Sequence, residues 1–287
     1  MTPHSTGPAS EPPVAEPDWL DLREPADRRA RSTELAHELA AALRPRPVRV
    51  LDVGCGSGAT TRWLAPLLPG PQEWTLLDRD PALLALVPER TKDVRDRNGA
   101  PVTCSTRRAE IPALTARDLA STSAVTASAL VDVLTADEVD GLAATCAVAR
   151  VPALLTLSVT GRVEIDPSDP VDPEIDSDVA AAFNAHQCRT VAGRRLLGPD
   201  APGAAADAFH RHGMTVRTAE TPWRLDDADR ALTDRWLTER VAAAVEQQPD
   251  LAARATAALH RRLMNCASLR AVIYHVDVLA LPNGGAP

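Results

Sequence analysis

The sequence predicts an α/β fold, a doubly wound and mostly parallel sheet of seven strands with helices on both faces. Three observations predict it. Between residues 48 and 161 short apolar runs alternate with helix-like stretches, the pattern of a parallel sheet. The first run, VRVLDV, feeds into a glycine-rich turn, GCGSG, and then into a helical pattern. The first two runs carry an acid near their ends, Asp52 and Asp78.

Residues 1–17 are rich in Pro, Ser and Glu, bury little, and are expected to be disordered. Residues 18–44 read as one or two helices: Trp19, Leu20 and Leu22 open the segment, Leu35, Leu39 and Leu43 recur every fourth residue, and Pro45 and Pro47 lie beyond. Residues 45–160 form the alternating core. VRVLDV is a buried strand, a helix follows from about residue 60 to 68, and EWTLLDRD (73–80) is the second strand. Pro81 suits the first turn of the next helix. PVTCSTRRAEI, TSAVTASALVDVL and PALLTLSVTG supply strands three to five, with a helix capped by Thr135 before the fifth.

Residues 161–287 complete the same domain. The stretch 162–178 is rich in prolines and acids and reads as an exposed connection. VAAAFNAHQCRTVAGRRLLGPD mixes a short helix with a loop, AAADAFHRHG is a helix, and MTVRTAETPWRL is one strand. Two helices, about 226–247 and 250–268, form an insertion before the last strand, SLRAVIYHVDVLALP.

The composition narrows the function. The chain has 287 residues, 31 Lys plus Arg against 39 Asp plus Glu, and a formal charge of −8, so a nucleic-acid backbone is repelled on average. The five cysteines, Cys55, Cys104, Cys146, Cys188 and Cys266, are scattered and form no CxxC pair; no metal site is expected, and a reducing cytoplasm fits. No apolar run reaches the roughly 18 residues of a membrane span, and the N-terminus lacks the layout of a signal peptide.

The glycines define the ligand. Gly54, Gly56 and Gly58 let a backbone with positive φ approach a ligand closely, in front of the free N–H groups of a helix start. A dinucleotide site wants G-x-G-x-x-G, but Ala59 stands where the third glycine belongs. Asp52 at the entry of the turn repels a pyrophosphate and suits a cationic end, such as the amino group of S-adenosyl-L-methionine.

LDVGCGSG resembles the first motif of the class I S-adenosylmethionine-dependent methyltransferases, and Asp78 follows 20 residues after Gly58. The resemblance covers roughly residues 45–160 and implies a Rossmann-like fold with the product S-adenosyl-L-homocysteine. It implies that Asp78 takes both ribose hydroxyls, as a forked carboxylate does with a cis-diol. Cys55 and Arg79, beside the glycines and that acid, join the implied cofactor contacts. SAVTASALVDVLTADEVDGL resembles the fourth-strand motif of the small-molecule branch, which implies Thr126, Ala127 and Ser128 near the transferred methyl, with Ser128 toward the acceptor. DWLDLREPADRRARS resembles an N-terminal cover helix, which implies Arg23 or Arg31 on the cofactor carboxylate.

The third-strand exit departs from that family. Arg108 occupies the usual acid position, leaving the Ala109 backbone or Glu110 to read adenine. For acceptor chemistry the candidates are Asp132, just past the fourth strand, and His186, the best single choice for a base. Gln187, Arg189, Arg194 and Arg195 share the segment after the fifth strand, which hangs over the carboxyl ends of the strands. Arg189 and Arg194 are expected to bind substrate, of an acidic kind, unless they pair with the acids of 164–178. His275 on the last strand is expected to be a core histidine. The expected function is methylation of O or N of a small metabolite by a cytoplasmic monomer or homodimer, with no nucleic acid and no membrane. A scaffold or non-methyl-transfer relative and an NAD-type oxidoreductase are the alternatives.

Overall fold

The computed structural model describes residues 15–43, 47–110, 114–166, 173–265 and 269–283. The expected disordered tail lies outside these residues up to position 14, as does Cys266.

Two helices come first, α1 (Pro17–Ala30) and α2 (Thr33–Ala42), the second capped by Ser32, whose Oγ accepts from the Leu35 N–H at 3.2 Å. The core then alternates: β1 (Val48–Val53), α3 (Ala59–Leu64), β2 (Gln72–Asp78), α4 (Pro81–Thr91), β3 (Thr103–Arg108), β4 (Ala124–Ser128), α5 (Ala136–Ala149) and β5 (Ala153–Ile165). α5 starts on a reciprocal capping box between Thr135 and Glu138. The rest comprises α6 (Pro173–Gln187), the short hairpin β6 (Thr190–Val191) and β7 (Arg194–Arg195), α7 (Ala201–Arg211), β8 (Met214–Glu220), β9 (Trp223–Leu225), α8 (Arg230–Gln247), α9 (Ala252–Asn265) and β10 (Ala271–Pro282).

The strand order is β3-β2-β1-β4-β5-β10-β8, with β9 paired to β10 beyond β8. β3, β2, β1, β4 and β5 pair in parallel, whereas β10 runs antiparallel to β5, β8 and β9. This is a Rossmann-like doubly wound sheet. Its two faces are buried separately, which explains why Val48, Val50, Leu51 and Val53 of β1 are all apolar and buried. Leu51 and Val53 pack with Leu142 and Phe209 of α5 and α7, while Val48 and Val50 pack with Leu39 of α2 and Leu64 of α3.

Three expectations are corrected by the structure. The expected strand over MTVRTAETPWRL is two strands, so the sheet has eight members and not seven. Pro222 lacks the N–H a continuous ladder needs, and Thr221 turns inward to a buried acid instead. The expected short helix before the lid loop is the 15-residue α6. The expected loop after it folds into a hairpin, turning at Ala192 and Gly193 with φ of 50° and 79°.

α8 and α9 precede β10 and pack with α6 around Ile175, Val179, Val241 and Leu251. α1 packs with β9 and α8 around Ala26, Trp223, Leu232 and Trp236. No described helix is long and apolar enough to cross a membrane.

Candidate functional site

Strand register assembles the site. Asp52 of β1 lies level with Leu76 of β2 and Thr126 of β4, so β1, β2 and β4 end along one edge. The order reverses between β1 and β4, the point at which doubly wound sheets bind ligands. A cavity of about 930 Å³ opens there. Its floor is the glycine turn and its walls are the ends of β2, β3 and β4; α1 and the α6–β7 segment complete it.

The turn needs its glycines. Gly54 has φ +63°, and a Cβ there would meet both methyl carbons of Leu130 at 2.8 Å. Gly56 has φ +53°, with Leu20 of the cover helix 3.2 Å from the position of a Cβ. Gly58 initiates α3 with φ +87°. Cys55 is buried between them; its N–H donates to the Leu77 carbonyl at 3.0 Å, and burial pushes its thiol pKa up.

Asp78 ties the turn to the next helix. Its Oδ2 accepts from the Gly56 N–H at 2.8 Å and its Oδ1 from the Asp80 N–H at 3.0 Å. It faces the cavity with Arg79, whose carbonyl accepts from Arg108 at 3.2 Å. The Ala109 N–H donates to the Asp78 carbonyl at 3.1 Å, so it already has a partner; Glu110 is exposed beside it on the same wall.

Asp52 and Thr126 sit beneath the cavity rather than on its surface. Both are fully buried, and the Thr126 hydroxyl donates to Asp52 Oδ1 at 2.7 Å while Oδ2 has no partner. Burial raises the Asp52 pKa to about 7, against the opposing effects of the Thr126 bond and Arg31.

Arg31 is the most unusual group at the site. It caps α1, is buried, and lines the cavity. One nitrogen, Nη2, donates to Ser128 Oγ at 2.9 Å and lies 4.0 Å from Asp27 Oδ2; Nε and Nη1 have no partner. Its guanidinium stands 5.4 Å from the Trp63 ring centroid, and burial lowers its pKa. An unmatched buried donor costs about 1–3 kcal/mol, more when charged. Ser128, expected to face the acceptor, therefore holds Arg31. Arg23, the other candidate for the cofactor carboxylate, is already engaged: it forks onto Asp27 at 3.0 and 3.3 Å.

Two buried acids not expected from the sequence flank Arg31: Asp27 lies 4.0 Å from its Nη2, and Asp277 holds the neighbouring Ser32 N–H. Asp27 accepts from Arg23 and, at 3.0 Å, from Trp223 Nε1. Asp277 is fully buried; it accepts from the Ser32 N–H at 2.8 Å, the Leu157 N–H at 2.7 Å and the Thr221 hydroxyl at 2.9 Å. The sequence carried a signal for each. Arg23, Asp27 and Arg31 recur at a spacing of four, one helical face, and Asp277 interrupts an apolar strand. The cover helix is further pinned by Arg62 to Glu24 and by Arg90, which bridges Asp21 and Ser57 of the glycine turn. His275 is buried in contact with Trp223, ring centroids 5.1 Å apart, and burial lowers its pKa to about 4.

At the other end of the cavity stand Asp132, Gln187, Arg189 and Arg194. Asp132 Oδ1 is buried without a partner, and burial raises its pKa. Arg194 forks onto Glu138 at 3.0 and 2.7 Å, so its charge is spent on the α5 cap and not on the acids of 164–178. Arg189 donates to the His186 carbonyl at 2.9 Å. His186 itself is not on the cavity wall: Nε2 lies 3.4 Å from Glu246, Nδ1 lies 3.2 Å from Arg189, and burial lowers its pKa. Among the described residues no group of His, Cys, Asp or Glu is arranged to hold a metal ion.

Comparison with known proteins places the core. The methyltransferase-domain family matches residues 50–151. The biotin biosynthesis bifunctional protein BioCD of Bordetella avium is 48% identical over 50 residues, 17% of this chain, and the match spans only 10% of that protein. Among solved structures, the cyclopropane synthase MmaA2 from Mycobacterium tuberculosis aligns over 92% of this chain and 94% of its own, with 14% identity and a TM-score of 0.47. A SAM-dependent methyltransferase from Geobacter sulfurreducens, in complex with S-adenosyl-L-homocysteine, aligns over 93% and 98%, with 18% identity and a TM-score of 0.43. What the comparisons give for this chain is a similarity of residues 50–151 to the methyltransferase-domain family.

Proposed function

We propose that the whole chain is a methyltransferase acting on O or N of a small molecule, with S-adenosyl-L-methionine as donor. The observation that carries this reading is Arg31: a buried guanidinium on the cavity wall with two unpartnered nitrogens, Nε and Nη1. Nη1, together with the second N–H of Nη2, has the shape and charge to take an α-carboxylate, and the glycine turn has no side chains where the rest of the amino-acid end would pass. Asp78 keeps free lone pairs for a ribose diol after its two backbone bonds. The bound cofactor supplies an electrophilic methyl on a sulfonium.

The protein's share is positioning and exclusion of water. α1 covers the cofactor end, and α6 with the β6–β7 hairpin encloses the acceptor end. Asp132, on the turn after β4, orients the acceptor and takes its proton; burial raises its pKa. His186 is not assigned that role, because its ring faces Glu246 and Arg189. The scattered free thiols Cys55, Cys104, Cys146 and Cys188 support a cytoplasmic setting.

The test is calorimetry of purified protein with S-adenosyl-L-homocysteine and with NADH. Saturable binding of the first and none of the second is expected. No binding of the first, or preferential binding of NADH, overturns the reading.

A further inference from the structure

The acceptor end of the cavity carries an imbalance of hydrogen-bonding groups. Asp132 Oδ1 and Gln187 Oε1 are both buried, and both lack a partner. They come from different elements, the turn at Val131–Val133 and the C-terminus of α6, and both line the same cavity. The two elements are held together: the Leu197 N–H donates to the Leu134 carbonyl at 2.9 Å, and Arg194 reaches the Val133 carbonyl at 3.4 Å. Buried acceptors are normally matched by donors. Here nothing in the described chain matches them, and a ligand carrying N–H donors would.

The positive groups nearby do not reverse this. Arg194 is neutralised by Glu138, and Arg23 by Asp27. Arg189 remains, with one nitrogen on the His186 carbonyl. We infer that the methyl acceptor is an amine, whose N–H groups donate to Asp132 Oδ1 and Gln187 Oε1. The inference rests on the methyltransferase reading and refines it. It also reverses the acidic substrate that the arginine-rich lid sequence had suggested.

The test uses the full-length protein saturated with S-adenosyl-L-homocysteine. Ligand-observed NMR titrates three matched series of arylalkyl amines, alcohols and carboxylates built on identical carbon skeletons. Amines are expected to bind at least about tenfold more tightly than the matched carboxylates. Asp132→Asn and Gln187→Leu should each reduce that preference, with thermal melting used to verify that both variants fold. Equal or tighter binding of carboxylates assigns the pocket to Arg189 and overturns the inference. So does a series in which no amine binds, or an amine preference that both variants retain. Homocysteine-nucleoside affinity is measured on the same samples: if it is lost, the methyltransferase reading fails, and if it holds while amines are not preferred, only the amine inference fails.

Discussion

Replacing Arg31 by lysine keeps the charge and removes the fork. In the wild-type protein Nε and Nη1 are buried and unpartnered, and Nη2 is already bonded to Ser128. A carboxylate bound across Nη1 and the second N–H of Nη2 would gain two charge-assisted bonds, each worth about 1.5–3 kcal/mol. The ammonium is a single point donor and recovers only part of this. Arg31→Lys should therefore weaken S-adenosyl-L-homocysteine binding by about 2–4 kcal/mol, roughly 30- to 1000-fold in Kd. Calorimetry measures it, with methylthioadenosine as the second ligand because that nucleoside lacks the amino-acid end. The variant should bind methylthioadenosine as the wild type does. A Kd for the homocysteine nucleoside within threefold of wild type, or an equal loss for both ligands, would refute the assignment of Arg31 to the carboxylate.

Other consequences are as direct. Asp78→Ala removes the acceptor of the Gly56 and Asp80 N–H groups as well as the proposed diol contact, so nucleoside affinity should fall at least about 100-fold for both ligands, read by the same titrations. Gly54→Ala places a Cβ 2.8 Å from Leu130 at a φ of +63°, and a loss of about 1–3 kcal/mol in denaturant unfolding is expected; an unchanged midpoint contradicts the packing described. Asp52→Asn tests the buried carboxyl. Its pKa is raised from 3.8 to about 7, so the unfolded chain ionises first and wild-type stability falls as pH rises across that window. The amide keeps an acceptor for Thr126, and the variant should be more stable at pH 8 by up to about 4 kcal/mol, with the advantage fading as pH falls toward 4. A constant difference across pH would mean that the carboxyl is not held neutral by burial.

The core of the fold was legible because its causes are local and periodic. Apolar runs such as VRVLDV are buried on both faces, and the glycine positions require positive φ whatever surrounds them. The break at Thr221–Pro222 was less visible, because Thr221 keeps its N–H on His275 of β10 while its hydroxyl turns to Asp277, 56 residues away, and Pro222 then has no N–H to give. The cover helix was legible as a helix. That Arg23 is paired while Arg31 is left open was not, since both arginines share a face and only the Asp27 and Trp223 contacts separate them.

The order of elements, the glycine turn and the placement of Asp78 at a strand end were determined by the sequence alone, through hydrophobic period and backbone sterics. Which charges cancel and which remain open was decided only by the tertiary structure. Arg194 meets Glu138 across 56 residues and Ser32 meets Asp277 across 245, and such pairings leave no periodic trace in a chain. Hydrogen-bond satisfaction is a property of a folded neighbourhood. The open fork of Arg31 and the open oxygens of Asp132 and Gln187 therefore came into view only once every nearby partner had been placed.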